Sequence, residues 1–362
     1  MKILLSVVWL AHLFGTIVSA FAMGGCGPGT GGVPLVDISS HLSAHERIIK
    51  TNAGVKEFVL WEKTGQVAYR NAEDKIAATD LVSGVTKLLG NGGVPLAHLL
   101  DPSNRFLLGA GTPWEFDSLN HGWYQFAPAA ANLKPLFWQN GYLFSARIFW
   151  DGRIQRVEIY AYLPEVGVSQ RVCPNLAGFG GNTQPVHLAE GSRFPNIYFY
   201  TQVYNQMGNN LGMGRIDITQ CELAELNHYP YVFYGPIESV HIYDRLHSFS
   251  VKVNHPSYNL LWQSGYGSCN YYNIDNLQPL VLSESQPLIA TFSSRGGLKI
   301  VDLNRQTQAT VLRHLPITSI SDNDLWLTHD GKRLYAAPEL AGQSSRLLFE
   351  LDLQMKGAKK KP

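Results

Sequence analysis

Charge is scarce in this chain and is not biased to one sign. Only 16% of the 362 residues are charged, and 29 Lys and Arg against 28 Asp and Glu give a formal net charge of +1. Nucleic-acid binding needs a basic excess on one face, so nucleic acid is not expected as a partner. The low charge also argues against a coiled coil. Apolar residues are plentiful, at 45%, so the chain can bury a core and disorder is excluded as its main state.

Familiar catalytic and metal-binding motifs are absent as well. The sequence has no Gly-Lys-Ser/Thr phosphate loop, no Gly-x-Ser-x-Gly elbow and no His-Glu-x-x-His helix motif. Its four cysteines, Cys26, Cys173, Cys221 and Cys269, contain no Cys-x-x-Cys pair, which argues against a zinc site. These absences favour a non-catalytic protein, and no cofactor is predicted.

The first residues are typical of an export signal. Lys2 precedes an apolar run from Ile3 to Val18 that is too short to span a membrane comfortably. Cleavage after Ala20-Phe21-Ala22 gives a signal peptide over 1–22, whereas Met23-Gly24-Gly25-Cys26 resembles a lipobox and gives a leader over 1–25 with Cys26 lipidated. Residues 23–32 form a Gly-rich tether. Both interpretations export the protein, to the periplasm, the outer membrane as a lipoprotein, or the medium.

Export allows disulfide bonds, and the cysteine positions leave two pairings open. Cys221 and Cys269 fall near the outer strands of two adjacent four-stranded repeats that the sequence predicts, and Cys173 with Cys221 is nearly as good a pair.

Short β-type runs recur in register through the chain. Each unit has a strand that ends at an acidic turn, a second aliphatic or aromatic strand, a third strand that ends in an Asp-aliphatic pair, and a polar fourth strand. Units begin near Val55, Val94, Leu133, Gln184, Ile237, Leu277 and Thr318. This period and the seven copies predict an all-β fold, a seven-bladed β-propeller of four-stranded antiparallel blades over residues 33–355.

The last unit supplies three clear strands before the basic tail at 356–362. We therefore predict that an N-terminal strand near Val33–Ile38 completes it and closes the ring. A pair of β-sandwich domains is the alternative fold, since sandwiches also have short strands at regular spacing.

The segment Leu327-Thr-His-Asp-Gly-Lys-Arg-Leu-Tyr335 resembles the turn and strand of YVTN-type and WD-like propeller repeats, and Lys299-Ile-Val-Asp-Leu303 resembles their third strand. The resemblance implies a propeller. Such propellers include binding scaffolds, lactonases and electron-transfer dehydrogenase subunits, so the fold by itself does not select a function.

Three histidines occupy equivalent positions on the predicted innermost strands. His98, His187 and His241 each lie three residues before the acidic turn residue of their unit. Imidazoles around a channel could bind a divalent metal or act as general bases, or they could hydrogen-bond a neighbouring blade. The acidic residues Asp101, Glu190, Asp244, Glu284 and Asp330 would ring one face, where tight-turn hydrogen bonding is the simpler role.

A tyrosine-rich segment is the remaining binding candidate. Tyr229, Tyr231 and Tyr234 lie close to Pro230 and Pro236, which predicts a loop, and loop tyrosines are common in recognition surfaces.

These observations favour an exported, lipid-anchored or soluble propeller that binds an envelope or secreted protein as a non-catalytic assembly scaffold. The alternative is a propeller enzyme, either a lactonase-like hydrolase or a dehydrogenase or electron-transfer subunit. Its site would lie at the channel mouth and use His187, His241 and neighbouring acids.

Overall fold

The computed structural model describes residues 33–355, apart from short gaps. The gaps are 41, 63–64, 92–95, 101–105, 110–113, 118–121, 126–132, 153, 164–165, 167, 177–178, 180–184, 206–207, 234–235, 244–247, 255–258, 265–268, 275–279, 284–285 and 322–323.

Seven sheets of four or more strands follow one another along the described chain, and we number them sheet 1 to sheet 7. In sheets 1 to 5, strands adjacent in sequence are antiparallel neighbours. Sheet 1 contains β3 (Glu57–Trp61), β4 (Gln66–Arg70), β5 (Lys75–Asp80) and β6 (Thr86–Asn91). Sheet 2 contains β7 (Leu96–Leu100), β8 (Phe106–Gly109), β9 (Trp114–Asp117) and β10 (Gly122–Gln125). Sheet 3 contains β11 (Lys134–Gln139), β12 (Tyr142–Asp151), β13 (Ile154–Leu163) and β14 (Val168–Val172). Sheet 4 contains β15 (Val186–Leu188), β16 (Asn196–Asn205), β17 (Gly208–Asp217) and β18 (Glu222–Phe233). Sheet 5 contains β19 (Ile237–Ile242), β20 (Ser248–Val253), β21 (Leu260–Ser264) and β22 (Cys269–Tyr272).

The last two sheets each include a strand from the beginning of the described chain. Sheet 6 contains β23 (Leu280–Leu282), β24 (Leu288–Ser293), β25 (Gly297–Asp302) and β26 (Thr307–Val311), with β1 (Val36–Asp37) at its edge. Sheet 7 contains β28 (Leu325–Leu327), β29 (Arg333–Ala336) and β31 (Leu348–Met355), with β2 (Leu42–Ile49) at its edge. A separate ribbon pairs β27 (Ile317–Ser319) with β30 (Glu339–Leu340).

Neighbouring sheets bury their faces against each other. Five apolar clusters join sheets 3 and 4, 4 and 5, 5 and 6, 6 and 7, and 7 and 1. The first strand of sheet 2, β7, contacts the first strands of sheets 1 and 3, β3 and β11. A sheet that is apolar on both faces is stable only between two others, and this stacking returns to its start in a ring. The prediction of a seven-bladed all-β propeller is confirmed.

The strand that joins sheet 7 is not the one predicted. Val36 and Asp37 instead run parallel to β26 in sheet 6. The edge of sheet 7 is β2, whose eight residues pair with β31, and Arg47 forms a 2.6 Å ion pair with Glu350 across it. Pro34 lacks an N–H donor and shortens any ladder near Val33, whereas an exposed edge strand tolerates the polar sequence of β2.

A disulfide bond joins sheets 3 and 4. It links Cys173, just after β14, to Cys221, in the turn between β17 and β18. Cys173–Cys221 is therefore the pair, and the preferred Cys221–Cys269 pairing is wrong. The side chain of Cys269, and Cys26 altogether, lie outside the described part of the chain.

Replacing both Cys173 and Cys221 by Ser is expected to lower the free energy of unfolding by about 2–4 kcal/mol, because the bond closes a loop of 48 residues in the unfolded chain. Urea unfolding with and without reductant measures this. Reductant should destabilise the wild type and leave the double variant unchanged. An equal midpoint for the oxidised and reduced wild type would contradict the structural role of the bond.

Across the described ranges, no helix has the length and apolar character needed to cross a membrane.

Candidate active site

The structure brings two of the three predicted histidines to adjacent innermost strands. His187 lies on β15 of sheet 4 and His241 on β19 of sheet 5. His98 lies on β7 of sheet 2, and its side chain is outside the described part. Sheets 4 and 5 therefore carry the two histidines side by side at the centre of the ring.

The tyrosine segment is not the predicted loop. Tyr229 and Tyr231 lie on β18, the outermost strand of sheet 4, where Tyr229 pairs with Leu211. A long partner strand, β17, lets the ladder continue past Pro230, which sits on the outer edge where its missing N–H is tolerated. Tyr234 and the side chains of the other two are outside the described part. Tyr229 and Tyr231 are thus separated from the histidines by the full width of the sheet.

A cleft of about 390 Å³ opens along the innermost strands of sheets 3, 4 and 5, and we call it the histidine cleft. Lys134 at the start of β11, His187 on β15, and Ser239 on β19 all line it. Its polar wall also includes Tyr200, from the second strand of sheet 4, and Glu190, from the turn after β15. Glu238 on β19 lines it too and forms an ion pair with Lys252 at 3.0 Å.

Glu190 is held in place by its own backbone. Its N–H donates to the Val240 carbonyl at 2.9 Å, and its carbonyl accepts from the Ile242 N–H at 3.0 Å. The turn of sheet 4 is thereby joined to the innermost strand of sheet 5. Gly191 follows with φ of 85°, and a Cβ atom there would lie 1.9 Å from the Ile242 carbonyl oxygen. Only glycine allows this approach.

His241 stands behind Glu190. Its side chain is only 8% exposed, and its Nδ1 lies 3.6 Å from Glu190 Oε2, which is ion-pair distance but longer than a hydrogen bond. Within the described ranges, neither of its ring nitrogens has a hydrogen-bond partner. Its ring packs edge-on against Tyr243 at 4.6 Å. His241 is therefore a neighbour of the cleft, placed to steady the Glu190 carboxylate.

The Glu190 carboxyl is ionised in this setting. Loss of hydration raises its pKa, but the His241 imidazole and the Lys134 and Lys252 ammonium groups together outweigh that effect, so its pKa lies below the ordinary value. Glu190 thus provides a fixed negative charge at one end of the cleft.

His187 offers a different kind of group. It pairs directly with Tyr200 across the ladder, and the two rings stack at 5.2 Å. Loss of hydration in the cleft lowers the pKa of His187, so its imidazole is neutral at pH 7. The same effect, followed by the Glu190 charge, raises the pKa of Tyr200 and keeps its phenol protonated. A proton acceptor and a proton donor therefore lie side by side.

Two cations line the end of the cleft nearest sheet 3. Lys134 is exposed, and the Arg147 guanidinium forms an ion pair of 2.6 Å with Glu158. Because the Lys134 side chain is exposed, its ammonium group can reach an anionic group in the cleft. The charge of Arg147 is largely compensated by Glu158.

The donor set does not make a metal site. In the part of the chain that the structure describes, no group of three or more His, Cys, Asp or Glu side chains could hold an ion. His187, Glu190 and Glu238 line the cleft and His241 lies behind Glu190, but no three of these side chains form a group that could hold a divalent ion.

A second and larger cleft, of about 660 Å³, lies where sheets 7 and 1 meet, and we call it the seam cleft. Its carboxylates are engaged within the protein: Glu62 accepts from the Trp326 indole N–H at 3.0 Å and the His329 backbone N–H. Asp330, the predicted turn acid, accepts from the Lys332 N–H and the Thr328 hydroxyl. No histidine or cysteine is among the described residues that line it. The seam cleft lies between two blades, and its Glu62 and Asp330 carboxylates are held by hydrogen bonds within the protein. Of the other acids in the predicted ring, Asp101, Asp244 and Glu284 lie outside the described part.

Sequence reasoning missed Lys134, Tyr200 and Gly191. Tyr200 could have been found from the pairing of β15 with β16, and Gly191 from its position after an acidic turn residue. No local signal marks Lys134, because its role depends on the packing of sheet 3 against sheet 4.

Comparison with known proteins supports the fold. No protein-family model and no curated protein matches the chain. Among solved structures, an oligogalacturonate lyase in complex with manganese matches 90% of this chain and 99% of its own, with a TM-score of 0.51 and 11% identity. At that identity the likeness shows the propeller fold alone, and no YVTN or WD family is confirmed.

The finding corrects the functional prediction from sequence. One matched structure with this fold is an enzyme, so missing motifs do not make a propeller a non-catalytic scaffold, and that prediction does not hold. The scaffold prediction was wrong because it depended on missing motifs, and acid–base residues placed by different blades form no motif along the chain.

Proposed function

We propose that this chain is an exported propeller enzyme whose active site is the histidine cleft, and that it cleaves an oligosaccharide of uronic acids by elimination. The observation that carries the proposal is the stacking of His187 on Tyr200 in a cleft that also presents Lys134. Loss of hydration there lowers the pKa of His187 and raises the pKa of Tyr200, which suits a proton acceptor and a proton donor. The oligogalacturonate lyase with the same fold supports the substrate class.

The chemistry needs three kinds of group. Lys134 would bind the uronate carboxylate and stabilise the negative charge that develops on it when the neighbouring carbon loses a proton. His187 would take that proton, since a neutral imidazole within reach of the C–H bond is a general base near neutral pH. The carbon–oxygen bond to the next sugar then breaks, a carbon–carbon double bond forms, and Tyr200 would return a proton to the departing oxygen.

Glu190 and His241 are positioning residues in this proposal. Loss of hydration raises the pKa of Tyr200, and the Glu190 carboxylate raises it further, so the phenol is protonated before the elimination step. A divalent metal, as in the matched lyase, is not included, because the described donor set does not fit one.

Export is part of the proposal. The leader pattern at 1–22 or 1–25 supports it, and so does the Cys173–Cys221 bond, because such bonds persist in oxidising compartments. Lipidation at Cys26 and an envelope or secreted partner stay predictions. We also infer kinship with YVTN-type and WD-like repeats, supported by the Asp330-Gly331 turn, in which Gly331 has φ of 69°.

Product masses test the reaction class. The wild-type protein is incubated with an oligogalacturonate, a neutral oligosaccharide of equal length and a lactone. Elimination yields fragments whose masses sum to that of the substrate, and we expect this for the oligogalacturonate alone. Fragments that gain one water would make the protein a hydrolase, lactone opening would support the lactonase-like alternative, and no turnover of any substrate would contradict an enzyme of this class.

A further inference from the structure

The hairpin formed by β12 and β13 extends beyond the innermost strand of its own sheet. Lys134, the first residue of β11, pairs with Ala146, so residues 147–151 of β12 continue past the end of β11. Arg147 and Ile148, at the base of this extension, line the histidine cleft. The part of the hairpin beyond Ile148 therefore lies beside the opening of the cleft.

One face of this hairpin looks toward sheet 4. Phe144, Ala146 and Ile148, at alternate positions of β12, pack in the apolar cluster that sheets 3 and 4 share. Trp150 is next in the same series, and side chains two apart in a strand lie on one face. Trp150 thus faces sheet 4 above the cleft.

A hydrogen bond ties this part of the hairpin to the strand that carries the proposed base. Gln155, the direct partner of Trp150 in the ladder, is buried, and its Oε1 accepts from the Val186 N–H at 2.9 Å. Val186 is the residue before His187. The hydrogen bond between Gln155 and Val186 therefore fixes the position of the Trp150 end of the hairpin relative to His187.

Despite this anchoring, Trp150 is 53% exposed. We infer that Trp150 is a specificity-determining residue: its indole stacks on a sugar ring next to the one cleaved at His187, so the site takes an oligomer in preference to its shortest unit. The inference rests on the proposed function. A sugar ring presents C–H groups on its faces, and these suit the electron-rich face of an indole and bury apolar area there.

The test compares Trp150→Ala with Ile154→Ala. Ile154 is also exposed and lies in the same hairpin, but it pairs with Asp151 and so points to the opposite face. We expect Trp150→Ala to raise KM for oligogalacturonates of four or more units roughly 3- to 10-fold, with KM for the shortest cleaved oligomer and kcat near wild type. Ile154→Ala should match the wild type, and Trp150→Phe should recover most of the affinity.

Calorimetric binding of the long oligomer to His187→Ala and to His187→Ala with Trp150→Ala gives a readout without turnover, and we expect the same 3- to 10-fold difference in Kd. Equal KM and equal Kd at every chain length, in a protein that does cleave the oligomer, would overturn the role of Trp150 and leave the proposed function intact. A wild type that neither binds nor cleaves any of these oligomers would overturn both.

Discussion

Gly191→Ala is expected to be among the most destabilising single substitutions in this protein. Its Cβ would lie 1.9 Å from the Ile242 carbonyl oxygen, and alanine would have to adopt φ of 85°. Backbone strain and overpacking together should lower the free energy of unfolding by roughly 2–5 kcal/mol. Relief of the clash requires the Glu190 turn to leave β19, so Glu190 and with it the wall of the histidine cleft should shift.

Gly152→Ala is the matched control. Gly152 also has a positive φ, of 63°, but a Cβ atom there would meet nothing within 4 Å. It should cost about 1 kcal/mol, from backbone conformation alone. Urea unfolding of both variants isolates the contact with Ile242. Equal losses for the two glycines would contradict a close junction between sheets 4 and 5 at this turn.

His187→Ala should remove the proposed reaction while the protein stays folded. Loss of a general base typically lowers kcat/KM by roughly 100- to 10,000-fold. The side chain is exposed to the cleft and belongs to none of the apolar clusters between sheets, so its removal costs the fold only the stacking contact with Tyr200. His314→Ala is the control, because that imidazole is also exposed and lies far away beside Glu46 on sheet 7. A variant of His187 that turns over as fast as the control would contradict its role.

The dependence of kcat/KM on pH is a second test of His187. Loss of hydration holds the pKa of His187 below its ordinary value of 6.5. Most of the imidazole is therefore already neutral at pH 6.5. As the base must be neutral, kcat/KM should rise with pH to a plateau, with a midpoint below 6.5. The residual activity of His187→Ala should lack this step. A midpoint above 6.5 would contradict the cleft environment described for His187.

The number of blades was predictable and their closing strand was not. Strand alternation and turn residues are local, so unit starts such as Val55 and Ile237 could be placed from sequence. The edge strand β2 contains His45, Glu46 and Arg47, and it pairs with β31, whose residues lie about three hundred positions away along the chain. No local pattern shows such a pairing.

The candidate site, too, was predictable from sequence only in part. His187 and His241 stood out because they occupy the same position in two repeats. Their functions could not be separated from sequence, because His241 is buried behind Glu190 while His187 faces the cleft. That difference comes from the turn at Gly191, which carries Glu190 across to the next blade. Lys134 reaches the cleft only through the packing of three sheets.

The location of bound substrate is the most direct test. A crystal structure of His187→Ala with a uronic acid oligomer should show the chain in the histidine cleft, with a carboxylate beside Lys134 and the adjoining ring against Trp150. An oligomer bound instead in the seam cleft between Glu62 and Arg333, or on the outer strand β18, would contradict an active site at the innermost strands of sheets 3, 4 and 5.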